Sequence, residues 1–282
     1  MSDAEAVDPS TPCKVILLAT DGSEFSAGVE RVGLEMAFRH QSQLHVLRLL
    51  LAKAGTDEAI VEEQDAALNM ERIGALCAER GIPCAPLVRS AEEPSQGILA
   101  AAKEVGAQLV ILGRRGRRGM AKLMVGDATA KVVDKADRSV LVVPRLFSFW
   151  NKGVLLVADP DPTEGDQAAQ AAFQLAHAAR LPLTILVAAD DGEDKRRDVY
   201  QTVNRLVAMA KLQNVAAEGL VQSGDVDDVV LEVARQRSAD IIVCEPRDRS
   251  VIDRLFHANK LVHLIGKAHC PVLVVQGASA AA

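Results

Sequence analysis

An apolar run that ends in an acid occurs twice in this chain, once as Val15-Ile-Leu-Leu-Ala-Thr-Asp21 and again as Val154-Leu-Leu-Val-Ala-Asp159. Each reads as a strand buried on both faces, because the apolar character is continuous and does not alternate. Each is followed at a similar distance by a second pair of such runs, 107–113 with 139–143 and 239–245 with 271–275. From the opening acid to the last strand residue the two stretches are nearly equal, 21 to 143 and 159 to 275, which points to a duplicated unit. A length of 282 residues accommodates two domains of ordinary size. Aromatic residues make up only 3% against 49% hydrophobic, so the core must be aliphatic, as parallel strands under helices require.

Within the first copy, helical periods at 25–40, 59–80, 94–105 and 126–135 alternate with strands at 15–19, 44–51, 86–89, 109–112 and 139–143. The second copy repeats the plan, with helices at 165–180, 195–211, 226–236 and 259–268 and strands at 154–159, 183–187, 219–222, 239–245 and 271–275. Such βα alternation predicts an α/β fold: in each domain a five-stranded, mainly parallel sheet flanked by helices on both faces. The boundary falls near 145–152, where Pro144 ends a strand and Trp150-Asn-Lys-Gly153 reads as a linker. The expected domains are therefore 13–146 and 152–276, with flexible tails at 1–12 and 277–282.

Several classes of protein are disfavoured. The apolar runs fall far short of the ~20 residues of a membrane-spanning helix, and the acidic, polar start has no basic-then-apolar pattern of a secretory signal, so a cytoplasmic location is expected. The five cysteines never form C-x-x-C and read as reduced, mostly buried side chains. A formal charge of −6 disfavours binding of nucleic acid by the surface as a whole. The basic run Arg114, Arg115, Arg117, Arg118 and Lys122 is a local exception, but it lacks the interleaved aromatics that stack on bases.

The chemistry concentrates after the fourth strand. Gly113-Arg-Arg-Gly116 is followed by nine residues and then Gly126-Asp-Ala-Thr129, which opens a helix. Glycines at the C-terminal end of a strand let a ligand approach the main chain, and the partial positive charge of the next helix points to the same place. Phosphate is the natural guest. In an open parallel sheet the ligand crevice lies beyond the strand ends where strand order reverses, which would place Asp21, after strand one, beside this cradle. Arg115, ahead of the second glycine, is the candidate for a paired N–H contact to phosphate oxygens.

These residues resemble the universal stress proteins in their tandem form, two Rossmann-like domains in one chain, the second degenerate. The resemblance rests on the spacing of Gly113, Gly116 and Gly126, on Asp21-Gly22-Ser23 and on the closing Val-Leu-Val-Val, and it covers the chain from about Cys13 to Gln276. It implies an adenine nucleotide alpha hydrolase-like fold and an adenine nucleotide, ATP, ADP or AMP, as ligand. It also implies a nucleotide site that includes Ala19, in which Asp21 and the main chain of Leu49 hold adenine, while Leu112, Gly113, Gly116, Gly126 and the Thr129 hydroxyl hold ribose and phosphates. In the family, paired domains associate through their last strands, so 140–143 and 272–275 would lie antiparallel about a pseudo-two-fold axis, forming an intrachain dimer with room for a further homodimer. Apart from the resemblance, the charge density of the Arg114 to Lys122 loop raises the expectation that nucleotide occupancy orders it for a downstream protein partner.

One departure stands out. Where the family has Ser or Thr after the last glycine, this chain has Asp127. A carboxylate there is expected either to cap the helix and occupy the anion site or to reach phosphate through a divalent cation such as Mg²⁺. In the second copy Glu245, Asp248 and Ala258 replace the three glycines and Asn259 stands where Asp127 does, so that cradle should refuse phosphate, leaving Asp159 as a turn or capping residue and the second domain structural. A nucleotide-free interaction scaffold and a slow ATPase are the alternative readings. No catalytic base or metal-ligand pattern stands out for the latter.

Overall fold

The computed structural model describes residues 13–116, 125–145, 147–148, 150–159, 166–189, 193–246 and 260–276. Both expected tails lie outside these residues, as do Arg117, Arg118, Lys122, Asp248, Ala258 and Asn259. The chain divides into two compact units, Thr11–Ser148 and a second built on Phe149–Ala282.

The first unit runs β1 (Val15–Ala19), a 3₁₀ turn (Glu24–Ser26), α1 (Ala27–His40), β2 (Gln43–Leu50), α2 (Asp57–Glu79), β3 (Cys84–Ser90), α3 (Pro94–Glu104), β4 (Leu109–Gly113), α4 (Asp127–Lys135) and β5 (Ser139–Val143). Local chemistry sets several of these bounds. Thr56 caps α2 by accepting from Ala59 N at 3.2 Å, Pro94 opens α3, and Gln41 ends α1 in the left-handed conformation, φ 53°. The helix expected from residue 25 begins instead with the 3₁₀ turn, which places Ser26 next to Asp21.

All strand pairs of this unit are parallel, in the order β3-β2-β1-β4-β5. Ile16, Leu17, Leu18, Val110, Ile111, Val140 and Leu141 are completely buried, as the continuous apolar runs require. In β3 only Leu87 is buried, and Pro86, which has no N–H to donate, is tolerated there because β3 pairs with β2 alone within the unit. The faces of the sheet divide between helices: Leu18 of β1 packs on Gly33 of α1, whereas Leu49 of β2 points the opposite way, onto Gly97 of α3.

The second unit repeats the plan: β6 (Val154–Val157), α5 (Gln167–Ala179), β7 (Leu183–Ala189), α6 (Glu193–Leu212), β8 (Ala217–Ser223), α7 (Val226–Gln236), β9 (Ile241–Cys244), a helix α8 over 260–267, and β10 (Val272–Val274). Its strands are again parallel, in the equivalent order β8-β7-β6-β9-β10. Phe173 is the one aromatic among its largest fully buried side chains; the rest of the described core is Leu, Ile, Val and Ala with Cys244 and Cys270. Side-chain caps occur here too: Asp166 accepts from Ala169 N at 2.9 Å and Asp225 from Asp227 N at 3.1 Å.

Two glycines give opposite expectations. A Cβ on Gly219 of β8 would lie 2.1 Å from Cγ1 of the buried, β-branched Val203 of α6, so Gly219→Ala is expected to destabilise by about 1–3 kcal/mol. Gly74, inside α2, has nothing within 4 Å of its would-be Cβ, and Gly74→Ala is expected to stabilise by roughly 0.5–1 kcal/mol. Chemical denaturation of the two variants measures both signs.

Candidate functional site

In the order β3-β2-β1-β4-β5 the chain leaves β1 toward α1 on one face, whereas β4 leads by way of the glycine loop to α4 beside α3 on the other. A crevice therefore opens beyond the adjacent ends of β1 and β4. Ala19 and Leu112 face each other in register at those ends, and Asp21 and Gly113 follow them.

Asp21 is fixed by its own turn. Its Oδ1 accepts from Ser23 N at 3.0 Å, Ser23 Oγ at 2.6 Å and Ser26 Oγ at 2.5 Å. The other oxygen, Oδ2, lies 3.2 Å from where a Cβ on Gly116 would be, so the early acid and the second loop glycine meet across the crevice. A side chain at Gly116 would press on that carboxylate. A Cβ on Gly113 would sit 3.3 Å from the Arg115 carbonyl oxygen, because the chain turns back sharply at the end of β4. Gly126 is pinned to the same loop, its N–H donating to Arg114 O at 2.9 Å while Arg114 N donates to Val143 O at 2.8 Å.

Leu49 presents its main chain to the crevice. Thr20 N donates to Leu47 O at 3.0 Å, and strand alternation puts the N–H and C=O of Leu49 on that same edge, beyond the last residue of β1. The Leu49 carbonyl receives Arg48 NH1 at 3.3 Å.

The α4 end differs from the sequence expectation. Gly126 is the N-cap and offers no side chain to the first-turn N–H groups. Asp127 is the first residue of α4 and not its cap: its carboxylate is three-quarters exposed and pairs one turn on with Lys131 at 3.0 Å. Lys131 also binds Glu93 at 2.8 Å, and this bond holds the Glu93 carboxyl below the usual range. Thr129, expected to turn its hydroxyl to phosphate, is buried and donates instead to Gly113 O at 2.9 Å, clamping the end of β4 to α4. Arg114 and Arg115 are half-buried, and burial, then the neighbouring Arg115, lowers the Arg114 guanidinium pKa.

Sequence reasoning missed the support beneath Asp21. Thr20 Oγ1 accepts from Gly22 N at 3.1 Å and donates to the buried Glu30 carboxylate at 2.7 Å. Asn69 Nδ2 donates to the same carboxylate at 3.3 Å, and Arg72 pairs with it. Glu30 and Asn69 lie in helices that hydrophobic periodicity finds, but no local motif marks them as partners.

The second unit fills the equivalent crevice with its own acid. Glu245, just beyond β9, accepts from Ala168 N at 2.6 Å and also from the Gln167 main chain, at the start of α5. Burial, and after it the nearby Asp166 and Asp159, push the Glu245 carboxyl pKa up, while the bonds to α5 oppose the shift. Asp166 is raised by burial as well. Among the described residues no group of three or more His, Cys, Asp or Glu is placed to hold a metal ion. No helix among them is long and apolar enough to cross a membrane.

Residues 12–144 and 151–276 each match the model of the Universal stress protein family, and the chain belongs to that family, with two copies of its domain. Universal stress protein YxiE of Bacillus subtilis (strain 168) is 28% identical over 144 residues, 45% of this chain and 97% of that protein. Among solved structures, a universal stress protein from Archaeoglobus fulgidus DSM 4304 superposes with a TM-score of 0.73 at 19% identity, covering 96% of this chain and 99% of that one. A functionally unknown protein from Pseudomonas aeruginosa PAO1 gives 0.75 at 18% identity, over 95% and 94% of the two chains. The likeness to both is one of fold.

The raised Glu245 carboxyl makes stability depend on pH with a definite sign. A carboxyl whose pKa is higher folded than unfolded stabilises fully below its unfolded pKa and loses that contribution as pH rises through the folded value. Glu245→Gln keeps an acceptor for α5 without the charge, so its melting temperature should gain on the parent's as pH is raised from about 4 to about 7. Parallel melting curves for the two proteins across that range would show that Glu245 is not the group responsible.

Proposed function

We propose that the first unit binds an adenine nucleotide in the β1–β4 crevice and that the second unit is a structural copy without such a site. The observation that carries the reading is the meeting of Asp21 with Gly116 at a crevice bordered by the Leu49 main chain and by the start of α4, whose cap is glycine. In this reading Ala19, Asp21 and Leu49 take the base. Leu112, Gly113, Gly116 and Gly126 admit ribose and phosphates to the main chain, Arg115 supplies charge, and Thr129 keeps the loop in place through Gly113. The exposed Asp127 carboxylate is the candidate for a contact through Mg²⁺, in competition with Lys131. The side chain that would favour a nucleotide-free scaffold is thus already paired with Lys131.

Calorimetric titration with ATP, with and without Mg²⁺, and with AMP tests this. The parent protein should bind, and Asp21→Ala should weaken binding by at least about tenfold, roughly 1.4 kcal/mol. Gly116→Val should abolish binding while leaving the melting temperature near the parent's. Asp127→Ser should change the affinity in Mg²⁺-free buffer by less than about threefold, since the carboxylate it removes is held by Lys131. No heat from the parent at millimolar nucleotide, with the fold intact, would overturn the proposal in favour of a scaffold.

A further inference from the structure

The interior of β2 holds a cation for which the fold alone has no use. Arg48 is the only Lys, Arg, Asp or Glu between Leu44 and Ala52, and it is 6% exposed. Val46, two positions earlier and so on the same face, is in register with Leu18, which packs on Gly33 of α1. Arg48 therefore lies on the α1 face, level with Thr20 and just past the last residue of β1. Its hydrogen bond among the described residues is the one that Nη1 donates to Leu49 O at 3.3 Å, and Nε is buried with no acceptor. A guanidinium carries more N–H donors than that, and burying them unmatched is costly. The charge stands at the lip of the crevice, on the carbonyl that borders it.

We propose that Arg48 is a base-reading residue that completes the edge begun by the Leu49 main chain, an inference that rests on the nucleotide reading of the β1–β4 crevice. The N–H and C=O of Leu49 lie side by side on the crevice edge, a donor next to an acceptor, and Arg48 adds N–H donors beside the acceptor. Donor, acceptor, donor is the complement of adenine, whose ring nitrogen N1, 6-amino group and ring nitrogen N7 run acceptor, donor, acceptor. Guanine, with a hydrogen on N1 and an oxygen at position 6, mismatches the Leu49 pair. The Leu49 carbonyl has a second lone pair, so it accepts from the amino group without releasing Arg48. Phosphates have their own place in that reading, at the glycine loop after β4, and β4 lies across β1 from β2, about 10 Å away at ordinary strand spacing. The cation at β2 therefore serves the base end of the ligand.

Removing the contact from either side tests this. The full-length parent and Arg48→Met are titrated calorimetrically with ATP and with 7-deaza-ATP, which has C–H in place of N7 and keeps N1 and the amino group. The parent should bind 7-deaza-ATP about tenfold or more weakly than ATP, the effect of losing one hydrogen bond to a charged group. Arg48→Met, whose stem fills the same space without the charge, should lose a similar factor for ATP and bind the two nucleotides within about twofold of each other, because the pair is already broken. Equal affinity of the parent for the two nucleotides overturns the assignment of Arg48 and leaves the nucleotide reading standing. So does a penalty for 7-deaza-ATP that persists undiminished in Arg48→Met. The parent's two affinities need no variant, so a variant that failed to fold would not shelter the assignment. No binding of ATP by the parent overturns the nucleotide reading itself, and this inference with it.

Discussion

Everything functional in this chain follows from how a parallel sheet ordered β3-β2-β1-β4-β5 must route its connections. β1 and β4 are neighbours, yet the polypeptide leaves them toward opposite faces, so a gap opens beyond their ends. The gap is obligatory. What a chain places there, a glycine that exposes amides or a side chain that consumes them, is a local choice made on an unchanged frame.

The two units make that choice differently. In the first, the β4 end is Gly113, the loop returns so closely that Gly116 touches Asp21, and the partner helix is capped by Gly126. In the second, the residue after β9 is Glu245, and its carboxylate lies on the first amides of α5. In the second unit the first N–H groups of α5 thereby find an acceptor within the chain, whereas the glycine cap of α4 in the first unit offers its helix no side-chain acceptor. Burial, and after it the neighbouring Asp166 and Asp159, raise the proton affinity of the acid, while its hydrogen bonds to those amides oppose the rise.

Much of this was legible before any coordinates. Continuous apolar runs separated by helical periods identify parallel strands, and the same order of runs repeated once identifies two copies. The glycine spacing identifies the crevice. What escaped is contact between residues remote in sequence or competition between local options. Asp127 at the first position of a helix satisfies the pattern for a capping acid, and Lys131 four residues on was equally visible as a partner; only coordinates decide which wins. Thr129 is drawn to Gly113 O because a buried hydroxyl must use its proton. Glu30 with Asn69 and Glu245 with Ala168 are pairings that tertiary structure creates, and no periodicity encodes them.

Glu245 also bears on how such a copy could change again. Restoring glycine at that position would strip the amides of Gln167 and Ala168 of their acceptor, and burying unmatched donors costs about 1–3 kcal/mol each. The reverse step is therefore uphill unless an anion arrives at the same moment. With the carboxylate in place the start of α5 behaves as a ratchet, since the helix carries its own acceptor and every route back passes through exposed donors.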